Sequence, residues 1–331
     1  MTGAMDDLTR QIEAHGPQYP RARRAIERFT TLGGMFRAAV RDMTSAYGET
    51  FFRRAEERVA EIDHLVGNDP AKFDDAVRAY IKFCMEFIRK QAVFLKTGSY
   101  AFRDFDSMQE DLYDNDEAME EFYLPALMFS FIFSPNYYEF YDFFQKEFVP
   151  DLPREGVIAE IGCGHGVYLC QSLLSAPGAT GFGIDVAPGA LKVARRVMDF
   201  HGVGPERCEL AVDDLRGGLA RSDGCADRVI CCEVLEHFPA PPEAIGELKR
   251  IMAPQGKMMV SAAVRMESVD HLYVFRTYQE VAEMMRLAGL RIIKERIAPL
   301  AKGDMRDAEE RMRLANDPKT PVGYICIAEH A

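Results

Sequence analysis

The chain has no tryptophan, no excess of positive charge, no C-x-x-C pair and no long apolar run. Each absence closes a class of function. Lysine and arginine number 40 against 52 aspartates and glutamates, a formal net charge of -12. A nucleic-acid binder concentrates basic residues on one face. The densest basic group here, Arg21, Arg23, Arg24 and Arg28, has the spacing of a solvated helical stripe, so no nucleic-acid partner is expected. The most apolar run, Leu124–Phe133, falls short of the ~20 residues that span a bilayer. Pro125 interrupts it and Pro135 follows it, so no membrane partner is expected either. Met1–Arg10 carries acidic residues and no apolar core, which does not read as a signal peptide. The cysteines Cys84, Cys163, Cys170, Cys208, Cys225, Cys231, Cys232 and Cys326 lie mostly in apolar segments. That usage fits free thiols in a reducing compartment better than disulfides or a zinc site, and the expected location is cytoplasmic.

What is present divides in two near Pro150, as 331 residues would suggest. Residues 1–148 have few β-branched side chains and apolar positions three and four apart. Phe29, Leu32, Met35, Phe36 and Val40 follow this period, as do Tyr80, Phe83, Cys84, Phe87, Ile88 and Phe94. Helix breaks are written at Gly16-Pro17, Gly67-Asn68-Asp69-Pro70, Gly98-Ser99 and Ser134-Pro135. Residues 149–331 alternate short apolar strands with helices. Strands are expected near Val157–Ile161, Gly181–Asp185, Glu209–Val212, Arg228–Cys232, Lys257–Ala262, Arg291–Ile297 and Tyr324–Ala328. Such alternation specifies an α/β fold with a largely parallel sheet, its last strands forming an antiparallel edge. A charged helix within Asp304–Asn316 precedes the final strand.

The residues that carry chemistry sit at the ends of these strands. The first runs into Glu160-Ile161-Gly162-Cys163-Gly164-His165-Gly166, where glycines permit a sharp turn and close approach of a ligand. The spacing is G-x-G-x-G, and Val167 occupies the place of the last glycine in a dinucleotide fingerprint. The second strand ends at Asp185, where an acid can grip two ribose hydroxyls. The third ends in Asp213-Asp214-Leu215, where an acceptor can take an adenine amino proton. The fourth leads into Glu233-Val234-Leu235-Glu236-His237-Phe238.

In these stretches, from VIAEIGCGHGVYL through GFGIDVAPGALKVAR, CELAVDDL and DRVICCEVLEHF to TYQEVAEMMRLAGLRI, the chain resembles the class I S-adenosylmethionine-dependent methyltransferases. It is most similar in flavour to the group that includes the ubiquinone-biosynthesis enzymes. The resemblance covers residues from about 150 onward and departs from the family at Ala253-Pro254-Gln255-Gly256, where Pro-Gly-Gly is usual. It implies a Rossmann-like seven-stranded methyltransferase sheet behind a separate all-helical domain, with S-adenosylmethionine as cofactor. By the same resemblance Gly162, Gly164 and Gly166 line the methionine and ribose, with Glu160 near the amino group. Asp185 then holds the ribose and Val186 packs on the adenine. Asp214, with Asp213 and the Leu215 backbone, holds the adenine edge, and Glu233 lies beside the methionine.

Methyl transfer needs in-line alignment, a base where the acceptor carries a proton, and exclusion of water. His237 is the expected general base. A rival reading takes Glu233, Glu236, His237 and a further histidine, His271, as ligands of a divalent cation, as in catechol-methylating relatives. The aromatic segment Ser134–Phe148 supplies Tyr137, Tyr138 and Tyr141 as candidates for a substrate wall, with His271 also placed at the substrate. Residues 1–148 are expected to cover a small-molecule acceptor, and they offer a surface for a homodimer. A non-catalytic S-adenosylmethionine-binding protein is the alternative of another class.

Overall fold

The computed structural model describes residues 6–98, 115, 118–268, 271–301 and 307–331. The first half is helical: α1 (Asp7–His15), α2 (Pro20–Leu32), α3 (Arg37–Tyr47), α4 (Glu49–Leu65) and α5 (Pro70–Thr97). Local chemistry sets the ends of α5. The Asp69 side chain accepts from the Ala71 N–H at 2.8 Å, and Pro70 occupies the first turn. Gly98 closes the helix in the left-handed conformation, with φ +69°. Gly98 therefore performs the break expected at Gly98-Ser99; Ser99 itself lies outside the described residues. Phe73, Ala76, Val77 and Tyr80 form the buried stripe of α5. Short helices at Leu124–Met128, Ser130–Phe133 and Pro135–Phe143 then carry the chain to the sheet.

The sheet has seven strands: β1 (Val157–Ile161), β2 (Thr180–Asp185), β3 (Cys208–Val212), β4 (Ala226–Cys231), β5 (Met252–Val264), β6 (Leu290–Pro299) and β7 (Val322–His330). Their order is β3-β2-β1-β4-β5-β7-β6, parallel except for β7, which runs antiparallel between β5 and β6. All seven strands expected from the sequence are present. Ala253–Gly256 continues into the start of β5. The charged helix before β7 spans Ala308–Asn316, and residues 302–306 lie outside the description. All eight cysteines are free thiols, buried or half-buried. Among the described residues no helix is long and apolar enough to cross a membrane.

The helical half shares its core with one face of the sheet. Phe131, Phe140, Phe144 and Phe148 are buried in the same cluster as Leu169, Leu173, Ile325 and Ile327. Polar ties cross the same boundary. Arg54 reaches Asp142 at 2.6 Å, and Arg296 of β6 reaches the other Asp142 oxygen at 2.9 Å. In α4 the buried Arg58–Glu61 pair is extended by His201, whose Nε2 lies 2.7 Å from Glu61 Oε1. Neither half could withdraw without exposing apolar surface and stranding buried charges.

Gly323 on β7 marks how close this contact is: a Cβ there would sit 2.6 Å from Phe140 Cζ and 3.1 Å from Asn136 Cβ. Gly323→Ala is expected to cost about 1–3 kcal/mol by overpacking. Urea denaturation should show a lower midpoint with an unchanged m-value; an unchanged midpoint would mean the contact is slack.

Candidate active site

The turn after β1 packs as tightly as its composition requires. Gly162, Gly164 and Gly166 have φ of +70°, +49° and +68°, conformations that side-chain-bearing residues rarely adopt. A Cβ on Gly162 would lie 2.4 Å from Val234 Cγ2, so this glycine lets β1 and β4 close at the point where strand order reverses. Gly164 is different: the nearest atom to its Cβ would be Leu124 Cδ2 at 3.8 Å, which leaves its face open to a ligand. Gly166 abuts Ala194, 3.0 Å from its would-be Cβ, and does not line the cavity. Of the three glycines expected to line the cofactor, it is the one packed against the helix that follows β2.

Asp185 holds this turn from β2. One carboxylate oxygen accepts from Gly164 N–H at 2.8 Å and the other from Ala187 N–H at 3.0 Å. Burial raises its pKa, opposed by the two N–H donors. Each oxygen keeps a further lone pair for a ligand hydroxyl. Glu160 is buried beneath the turn and accepts from Leu169 N–H at 2.9 Å; burial pushes its pKa up to about 8. At the end of β3 the two aspartates part company. Asp213 lines the cavity, its oxygens accepting from Asp214 N–H and Ala220 N–H, both at 2.8 Å. Asp214 turns away to pair with Arg216 at 2.6 Å and caps the short turn that follows. Of the two aspartates expected at the adenine edge, Asp213 is the one that faces the cavity, because successive residues of extended chain face opposite ways. Val186 and Leu215 line the same end.

After β4 the backbone is strained. Glu233 has φ +55°, unusual for a residue with a side chain. Ser261 of β5 holds it there: Glu233 N–H donates to the hydroxyl at 2.9 Å, and the hydroxyl donates to Glu233 Oε1 at 2.8 Å. Burial raises the Glu233 pKa. His237 Nε2 lies 3.1 Å from the Glu233 carbonyl. A carbonyl only accepts, so the neutral ring carries its proton on Nε2 and its lone pair on Nδ1. His271 is held in the same manner by Met266, whose carbonyl lies 2.8 Å from Nδ1. The two rings stand 5.1 Å apart, and one donor atom each from Glu236, His237 and His271 falls within 4.8 Å of the others. Glu233 is outside that group, although the rival reading counted it as a ligand. Glu236 is fully buried behind the histidines, its carbonyl accepting from Leu272 and Tyr273 N–H.

These groups open into one cavity of about 400 Å³. Its far wall comes from the helical half and includes Phe29, Phe36, Tyr80, Phe83, Phe87 and Phe131. Of the three tyrosines expected there, only Tyr137 lines it. Tyr138 is buried against Tyr47 and Phe51 with Arg54 over its ring, and Tyr141 packs between Phe131, Phe144 and Tyr168. Tyr138 thus packs within the helical half, and Tyr141 belongs to the joint between the halves. Phe83 and Phe87 were legible only as extra apolar positions on α5; His165 and Asn136, which also line the cavity, carried no signal beyond their neighbours.

No lysine or arginine lines the cavity among the described residues, whereas Glu160, Asp185, Asp213 and Glu233 do. Such a site repels phosphates and suits a cation that carries hydroxyls. The reversed β7 next to β6, the open glycine and the acidic rim together define a Rossmann-like fold of methyltransferase type. The family described as "Methyltransferase domain" matches residues 154–313. Ubiquinone biosynthesis O-methyltransferases of Xylella fastidiosa and Burkholderia thailandensis are 30% and 31% identical to the chain. The matches cover 54% and 53% of this chain, and 75% and 78% of those proteins. A solved S-adenosylmethionine-dependent methyltransferase from Aquifex aeolicus aligns with a TM-score of 0.40 at 14% identity, over 68% of this chain and 99% of that one. Geranyl diphosphate methyltransferase in complex with S-adenosylmethionine aligns at 0.44 and 13%, over 56% and 84%. The chain belongs to the class I S-adenosylmethionine-dependent methyltransferases, and S-adenosylmethionine is its cofactor.

The acidic rim generates two expected outcomes. Asp185→Ala should weaken S-adenosylmethionine binding by about 2–4 kcal/mol in calorimetric titration, through loss of charge-assisted ribose bonds; equal affinities would remove Asp185 from the cofactor site. Glu160, with its pKa raised to about 8, is mostly protonated at pH 7 in the ligand-free protein. A neighbouring ammonium favours the carboxylate, so binding should release close to one proton from Glu160 at pH 7 and almost none from it above pH 9. Titrations in two buffers of different ionisation enthalpy measure this; Glu160→Gln should lower the release at pH 7 by close to one proton, any remainder coming from Glu233, whose pKa burial also raises.

Proposed function

We propose that the protein transfers the methyl group of S-adenosylmethionine to a hydroxyl of an apolar small molecule held between the sheet edge and the helical half. The cavity's continuity carries this reading. It runs from Gly164 and Asp185, past His237, to an aromatic wall on α2, α5 and the short helices before β1. The names of the relatives, O-methyltransferases of ubiquinone biosynthesis, support oxygen as the acceptor atom. Residues 1–148 act as the cover of the acceptor pocket, excluding water and orienting the acceptor.

The cofactor supplies an activated methyl group. The chain's own residues supply the rest. Glu160 and Glu233 favour positive charge at the methionine end, while Asp185 and Asp213 take the ribose and adenine edge with Val186 and Leu215 packed beside them. Nδ1 of His237 takes the hydroxyl proton, and the Glu233 carbonyl holds the ring's other N–H and keeps the ring in place.

A second reading has a specific observation in its favour. One ligand atom each of Glu236, His237 and His271 lies within 4.8 Å of the others, and His271 Nε2 lies 3.9 Å from Glu236 Oε1. A divalent cation held by these three would acidify the acceptor hydroxyl.

Transfer of radiolabelled methyl to 4-butylphenol and 4-butylcatechol separates the readings. Under the base reading His237→Ala lowers the rate by about 10²–10⁴ with cofactor affinity preserved, and EDTA has no effect. Activity lost to EDTA and restored by Mg²⁺ or a transition metal, with Glu236→Ala and His271→Ala as damaging as His237→Ala, would replace the base by the cation.

A further inference from the structure

His165 stands between two glycines of left-handed conformation, at φ +49° and +68°, and this turn carries its ring across to the helical half. There it meets Phe131 edge to face, with centroids 5.2 Å apart and an interplanar angle of 69°. Val167 N–H donates to its Nδ1 at 3.3 Å. A nitrogen that accepts has no proton of its own, so the neutral ring carries its proton on Nε2. Burial, with the Arg58 guanidinium nearby, pushes the pKa down to about 3, which favours the neutral ring. That ring presents a fixed N–H.

His165 lines the cavity, and among the described residues no protein group accepts from Nε2. The ring is half-buried, so in the ligand-free protein water can meet its Nε2–H; an apolar ligand that displaces this water strands the donor, and a ligand oxygen keeps it paired. The ring leans on Phe131 of the helical wall, the side of the cavity assigned above to the acceptor.

We propose that His165 is a specificity-determining residue: its Nε2–H donates a hydrogen bond to an oxygen of the methyl acceptor, so the pocket selects apolar molecules that carry an oxygen at this point. This rests on the cavity being the acceptor pocket. A pocket built to donate discriminates against an analogue lacking the acceptor atom, because the donor is then stranded.

The test uses the full chain saturated with S-adenosylhomocysteine and two probes, 4-butylphenol and butylbenzene, titrated by calorimetry. The wild type should prefer the phenol, and His165→Leu should cut that preference about three- to tenfold while leaving S-adenosylhomocysteine affinity unchanged. His165→Gln, which keeps an N–H near the Nε2 position, should retain most of the preference and serves also if the leucine variant fails to fold. An unchanged preference in either the leucine variant or, should that not fold, a phenylalanine variant overturns the proposal. So does a parallel fall in S-adenosylhomocysteine affinity, which would assign the donor to the cofactor carboxylate. Nitrogen-proton NMR of the wild type gives an independent reading: a His165 ring protonated on Nδ1 overturns it without any variant. If the wild type binds neither probe, the acceptor-pocket reading fails and takes this inference with it.

Discussion

The active edge of the sheet depends on one carboxylate reaching across two strands. Asp185 leaves β2 and takes the N–H of Gly164 and of Ala187, one on each oxygen. The first bond pins the turn after β1, and the second pins the start of the helix after β2. Between them they hold the glycine turn open at Gly164 and closed at Gly162, where Val234 leaves no room for a side chain. Burying an acid at this point is unfavourable unless its lone pairs are used. The same groups that satisfy it are those that shape the ligand's seat.

A second constraint works on the far side of the cavity. The helical half shares its core with the sheet, through Phe131, Phe140, Phe144 and Phe148. Gln91 of α5 adds a polar tie. Its side chain donates to the Arg265 carbonyl at 2.9 Å and accepts from Glu267 N–H at 3.3 Å. Those two residues flank Met266, whose carbonyl orients His271. The helix that supplies Phe83 and Phe87 to the aromatic wall thus also steadies the loop that presents a histidine. The aromatic wall and the histidine loop are mechanically joined.

Electrostatics divides the cavity. Its cofactor end gathers carboxyl groups whose pKa values burial raises, a setting that stabilises positive charge when it arrives. Its other end is aromatic, with imidazoles and hydroxyls as the polar points. The two ends thus differ in the charge they favour.

The sequence by itself determined the alternation of strands and helices, the seven strands, the glycine turn and the acids that end β1, β2 and β3. These follow from period, backbone sterics and short-range capping, which act within a few residues. Its break points were equally local: Asp69-Pro70 starts α5 and Gly98 ends it. Which way each acid faces was decided elsewhere. Asp213 turns inward and Asp214 outward because Arg216 is at hand to neutralise the latter, and Gly166 serves packing because Ala194 meets it. Tyr138 is drawn into the helical core by Tyr47 and Phe51, and Tyr141 into the joint between the halves by Tyr168, leaving Tyr137 at the cavity. The tautomers of His165, His237 and His271 depend on Val167 N–H and on the carbonyls of Glu233 and Met266. The wall built from Phe29, Tyr80 and Phe87 exists only once α2 and α5 pack over the strand ends. Such choices belong to contacts between residues far apart in the chain, and no local pattern encodes which of two chemically similar side chains will find the partner that holds it.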